Sequence, residues 1–142
     1  LVQDVLAGQH ELIAHGVDMD RLHHGGLGAA DEGALIDQSL AALERISGKR
    51  PRGWLSPARS ESAQTPQLLA ERGIEYFCDF VNDELPYPFR TAAGELTSMP
   101  LSFELSDRQI LIDYHHSEDE YAQQVLDQFE VLDAESRQHG RR

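Results

Sequence analysis

Three short apolar runs each end in polar residues beside a turn former. Glu11–Ala14 runs into His15-Gly16, Gly53–Leu55 into Ser56-Pro57, and Ile74–Phe80 into Asn82-Asp83. Between these runs the apolar spacing becomes helical. Leu35 or Ile36, Leu40, Leu43 and Ile46 recur at intervals of three to four from Asp31 until Gly48 closes the segment. A second helix is expected from Thr65 as N-cap, with Pro66 at N1, Leu68-Leu69 on its apolar side and Gly73 at its end. An earlier helix, Leu1–Ala7, carries Val2, Val5 and Leu6 on one face and stops at Gly8. The alternation of helix and strand predicts an α/β fold of parallel strands joined by right-handed crossovers.

After Phe80 the pattern changes. Pro86–Thr91 and Glu95–Leu101 flank Ala93-Gly94 and read as a β-hairpin. Gln109–Tyr114 reads as a further short strand. Ser117 and Glu120 have capping-box spacing and open a helix with Tyr121, Val125, Phe129 and Leu132 on one face, running to about Gln138.

Charge narrows the partners. Twelve basic residues stand against 25 acidic ones, a formal net charge of −13. Nothing supplies the basic stripe that a nucleic-acid backbone or an anionic membrane requires. Cys78 is the only cysteine, so no internal disulfide can form, and its apolar strand context suits an inert buried thiol. No apolar run approaches the ~20 residues of a membrane span. No signal peptide is visible, and the expected location is the cytoplasm.

Parallel strands would put His15, Ser56-Pro57 and Asp79-Asp83 at strand C-terminal ends, the rim where such folds keep their chemistry. A histidine there can shuttle a proton or ligate a metal, and it can equally be a satisfied structural group. The i+4 position, where a second ligand would make a strong case, is Met19; Asp18 is the nearest carboxylate. His23-His24 lies in a glycine-rich loop and reads as a mobile exposed pair, and His115-His116 precedes a helix start, where packing or solvent accounts for it. Ser60 lacks the surroundings of a nucleophile elbow, so it and Glu61 are read as hydrogen-bonding groups. Asp79 and Asp83 can hold a metal, orient a histidine or bind hydroxyls.

The ordered set from His10-Glu11-Leu12-Ile13-Ala14-His15-Gly16, through Gly53-Trp54-Leu55-Ser56-Pro57 and Thr65-Pro66, to Asp79, Asn82-Asp83 and Pro86-Tyr87 resembles the polysaccharide deacetylase superfamily. These are the family 4 carbohydrate esterases with a nodulation-type deacetylase domain. Gly53-Trp54 with Pro57, Asn82-Asp83 with Pro86-Tyr87, and Gly94 to Leu101 are most similar to the branch related to metal-independent allantoinases. The resemblance runs from about Gly8 to Glu135. It implies a distorted (β/α) barrel, incomplete at both ends and carrying a hairpin insertion, with residues 1–142 as the central part of one catalytic domain. It implies hydrolysis of a non-peptide carbon–nitrogen bond in an N-acetylated sugar or a small cyclic amide such as allantoin. A non-catalytic carbohydrate-binding or scaffold domain of the same fold is the alternative. His15 matches the first histidine of the family's metal motif; Gly16 replaces its Ser/Thr, Met19 its second histidine, and Leu55 the arginine two residues before Pro57. Zinc or another divalent metal is therefore less expected than metal-independent chemistry. The residues assigned to catalysis are His15, Asp79 and Asp83, and those assigned to substrate are Ser56, Pro57, Ser60 and Glu61. The expected partner is a small molecule or oligosaccharide; oligomeric state is not legible.

Overall fold

The computed structural model describes residues 2–8 and 10–140; Leu1, and the side chains of Val2 and Leu6 from the expected first helix face, lie outside what is described. Its chain divides into two units, Leu1–Leu101 and Ser102–Arg142.

The first unit contains helices α1 (Val2–Ala7), α2 (Ala29–Ser47) and α3 (Thr65–Glu71) and strands β1 (Gly53–Trp54), β2 (Tyr76–Phe77), β3 (Tyr87–Thr91) and β4 (Gly94–Ser98). The sheet order is β1-β2-β4-β3; β1, β2 and β4 run parallel, and β3 pairs antiparallel with β4. Ala14 adds a parallel bridge to Trp54 on the outer side of β1. The expected strand Glu11–Ala14 thus shrinks to one bridge, held by Ala14 N–H to Gly53 O and Leu55 N–H to Ala14 O, both 2.9 Å. Among the described residues it pairs only with β1.

Ala14, Trp54, Phe77 and Ser98 lie in one register row, and all four are fully buried. Ile36 and Leu40 of α2, Leu68 and Leu69 of α3, and Ile74 and Leu96 complete the apolar core around this row. Each such side chain contributes about 1.5–3 kcal/mol by leaving water. Ile46, expected on the same stripe, is 51% exposed: the stripe drifts off the core in the last turn of α2. Gly48 closes that helix in the left-handed conformation (φ 73°).

The hydroxyl of Thr65 does not cap α3. It accepts from Ser62 N–H at 2.8 Å and donates to Glu32, and the cap position falls on Gln64. Pro66 sits in the first turn as its missing N–H allows.

The second unit corrects another expectation. Residues Arg108–Asp113 wind into a π-helical turn rather than a strand. Asp107 accepts from Arg108 N–H at 2.7 Å, and Tyr114 N–H reaches Gln109 O at 2.9 Å. Ile110 is buried and Ile112 is 64% exposed, so the apolar alternation marks no two-sided strand. Helix α4 (Glu118–His139) opens with both halves of the Ser117–Glu120 capping box, and Gly140 closes it at φ 67°.

Candidate functional site

The parallel ladder ends where the site begins. Leu55 N–H bonds Ala14 O, Cys78 N–H bonds Trp54 O, and Met99 N–H bonds Phe77 O. The next N–H on β1's continuation, that of Ser56, leaves the ladder and donates to Asp79 Oδ1 at 2.7 Å. Ser56 Oγ–H donates to Asp79 Oδ2 at 2.8 Å, so one residue grips both carboxylate oxygens. Ala14, Trp54 and Phe77 share a register row in parallel segments, so His15, Ser56-Pro57 and Asp79 emerge at the same end of the sheet.

Asp79 is 8% exposed. Burial raises its proton affinity above the usual carboxylate range; the two bonds from Ser56, and the nearby His23 and His15, pull the other way without cancelling it. Glu61 is shifted upward as well, first by burial and then by the charge of Asp79. Burial, followed by the charge of Asp79, likewise pushes the thiol of the half-buried Cys78 up. A carboxylate with raised affinity beside a second carboxylate and two imidazoles is a grouping able to hold and release protons.

His15 is exposed, with Nδ1 2.8 Å from Leu55 O. A carbonyl only accepts, so Nδ1 carries a proton, and in the neutral ring Nε2 presents its lone pair. Gly16 follows at φ 73°, and a Cβ built there would stand 2.2 Å from Pro57 Cγ. Glycine is thus required where the superfamily motif has Ser or Thr. Beyond Pro57 the chain makes a 3-10 turn in which Ala58 and Arg59 both take left-handed φ values, 54° and 51°. Each costs about 1–2 kcal/mol for a residue with a Cβ. The turn brings Ser60 back to the rim loop, where its hydroxyl donates to His23 O at 2.6 Å.

Asp83 is exposed and caps its own turn by accepting from Leu85 N–H at 3.2 Å. His24 is exposed and accepts from Gly26 N–H. In the second unit His115 and His116 are exposed, and His116 Nδ1 lies 2.9 Å from Gln124 Nε2. His23 contradicts the expectation of a mobile loop residue: it is fully buried, 3.2 Å from Glu32. Glu32 was not a candidate at all, although Glu32, Ile36 and Leu40 are spaced i, i+4, i+8 on the buried stripe of α2.

Among the described residues, the potential donors nearest His15 are engaged or exposed. Asp18 is committed to Arg21 by bonds of 2.8 and 2.5 Å, which hold its carboxyl below the usual range, and Met19 is 59% exposed. Among the described residues no three His, Cys, Asp or Glu side chains converge as a metal site. No helix among them is long and apolar enough to cross a membrane.

No protein-family model and no curated protein matches the chain. Solved structures do. A protein from Mycobacterium smegmatis assigned as a polysaccharide deacetylase is 29% identical, with a TM-score of 0.69 over 76% of this chain and 37% of its own. Puue allantoinase is 25% identical, with a TM-score of 0.81 over 94% of this chain and 44% of its own. A protein from Pseudomonas aeruginosa PAO1, also assigned as a polysaccharide deacetylase, shares the fold at 24% identity and a TM-score of 0.80, over 94% of this chain and 45% of its own. The chain spans less than half the length of each of these structures.

Proposed function

We propose, from a chain that resembles the polysaccharide deacetylase superfamily in its allantoinase-like branch, that it forms the central part of a distorted (β/α) barrel hydrolase. The reaction is cleavage of a non-peptide amide bond, in an N-acetylated sugar or a small cyclic amide. The observation that carries this reading is the placing of His15, Ser56 and Asp79 at one end of parallel strands. Water attacks the carbonyl, a base takes its proton, and an acid protonates the leaving nitrogen. His15 offers Nε2 as a proton acceptor, and its Nδ1 bond to Leu55 O fixes the ring. Asp79, gripped by Ser56, supplies a dry carboxylate that is oriented before substrate arrives. Ser60 and Glu61 form a polar wall suited to hydroxyl or amide groups of the substrate, and Pro57 packs the floor beneath Gly16.

The departures at Gly16, Met19 and Leu55 favour a second reading, a carbohydrate-binding domain that has lost its chemistry. One experiment separates the two. The intact protein is assayed on acetylated chito-oligosaccharide and on allantoin. Hydrolysis of either, with kcat/KM falling ~10²-fold on His15→Ala, supports the enzyme. Binding of the oligosaccharide without turnover supports the binding domain, and turnover unchanged by His15→Ala removes His15 from the mechanism.

A further inference from the structure

Beneath the rim lies a buried polar pair, His23 and Glu32, both closed off from solvent. Four parts of the chain meet there. Ser62 Oγ accepts from Gln64 N–H at 3.0 Å and donates to Glu32 Oε2 at 2.6 Å. Thr65 Oγ1 accepts from Ser62 N–H at 2.8 Å and donates to Glu32 Oε1. Each hydroxyl holds a backbone N–H on a lone pair, so its own proton is free to point at the carboxylate. Both hydroxyls thus donate to Glu32, and with the carboxyl ionised the facing Nδ1 of His23, 3.2 Å away, is its third donor. Nε2 has no hydrogen-bond partner among the described residues. The ring does something else: it meets Trp54 edge-on, with centroids 5.4 Å apart and planes at 79°.

Trp54 leads directly to the rim. Its Nε1–H donates to Ser56 Oγ at 2.9 Å, and Ser56 Oγ–H donates onward to Asp79 Oδ2 at 2.8 Å. A serine hydroxyl has one proton. With the indole N–H occupying a lone pair of Ser56 Oγ, that proton is directed at Asp79.

We propose that His23 is a positioning residue for Asp79: its ring, oriented by Glu32, holds the Trp54 indole where the indole N–H turns the Ser56 hydroxyl onto the Asp79 carboxylate. The proposal rests on Asp79 being a working group of the hydrolytic site. Its geometric content stands apart from that reading, because an Asn at position 23 keeps a donor for Glu32 while removing the ring, and a Phe keeps a ring while removing the donor.

The test uses the intact protein, labelled with ¹⁵N, and the variants His23→Asn and His23→Phe. In the unsubstituted protein the His23 nitrogen resonances should place a proton on Nδ1; an unprotonated Nδ1 overturns the proposal whatever the variants do. His23→Asn should shift the indole N–H resonance of Trp54, the chain's only tryptophan, and the amide of Ser56. It should lower kcat about tenfold with KM changed less than about twofold, the signature of a misplaced group rather than a lost substrate contact. His23→Phe should retain the indole resonance better than His23→Asn if the ring is the operative part. Unmoved Trp54 and Ser56 signals in folded His23→Asn, or an unchanged kcat, overturn the proposal. If the intact protein hydrolyses neither substrate, the functional reading falls, and the nitrogen and indole resonances still decide the positioning claim.

Discussion

Gly16→Ala should be among the most damaging single-methyl changes in this protein. The backbone there has φ 73°, where a residue with a Cβ loses about 1–2 kcal/mol. The new methyl carbon would lie 2.2 Å from Pro57 Cγ and 2.9 Å from Pro57 Cδ, and Pro57 is itself buried. Neither side yields easily: Ser39 Oγ holds Gly16 O at 2.9 Å, and Pro57 opens the strained 3-10 turn. Overpacking of this kind costs about 1–3 kcal/mol, giving a total of about 2–5 kcal/mol. For a chain of this size that is a fall in Tm on the order of 10 °C. Urea unfolding followed through Trp54 fluorescence measures it. The two contributions separate in a double-mutant cycle, because Pro57→Ala removes the ring and leaves the backbone strain. Gly16→Ala should cost only about 1–2 kcal/mol on the Pro57→Ala background. A cost below about 0.5 kcal/mol on the unsubstituted background, or one that Pro57→Ala does not reduce, refutes the reasoning.

Three further outcomes follow from the site and from α4. Asp79 has its proton affinity raised in the fold, so the folded state binds a proton that the unfolded state has already released. Its contribution to stability therefore falls as pH rises from the usual carboxylate range through its folded midpoint. Ser56→Ala removes one of the two bonds that oppose this shift, so the acid limb of kcat/KM should move to higher pH; a limb moving to lower pH contradicts the assignment. In the second unit, Ser117→Ala removes the side-chain half of the capping box and should cost about 0.5–2 kcal/mol, read by urea unfolding followed by circular dichroism, with Ser117→Asp losing much less.

What could be read in the sequence was local. The extent of α2 follows from apolar spacing and the stop at Gly48, the start of α4 from the Ser117–Glu120 capping box, and the hairpin from two runs around Ala93-Gly94. The misreadings came from partners far away along the chain. Thr65 has cap chemistry, but its hydroxyl is engaged by Glu32, 33 residues earlier. Strand β1 is shorter than its apolar run because the Ser56 N–H goes to a carboxylate 23 residues later. Gln109–Tyr114 alternates like a strand, yet a local Asp107 cap and i+5 bonding wind it into a helix. His23 looked solvated because it lies in a glycine-rich loop, and a loop sequence carries no periodicity that reports burial. The readable clue was on the other partner: a glutamate in phase with Ile36 and Leu40 must bury its charge or find donors, and Ser62, Thr65 and His23 are those donors.

The sheet order β1-β2-β4-β3 has a consequence for how the chain acquires its structure. β3 and β4 pair across a tight turn, from Thr91–Gly94 out to Tyr87–Ser98, so they can zip together locally within ~1–10 μs. β4 must then find β2, whose Phe77 aligns with Ser98, 21 positions later, and that encounter closes a much longer loop. The hairpin is thus a prefabricated piece that docks by one edge. Until it docks, the carbonyl of Phe77, which finally receives the Met99 N–H at 2.8 Å, faces water. Amide exchange should therefore register Met99 and Thr97, the residues that seal the seam to β2, as protected later in refolding than Leu96 and the other rungs within the hairpin.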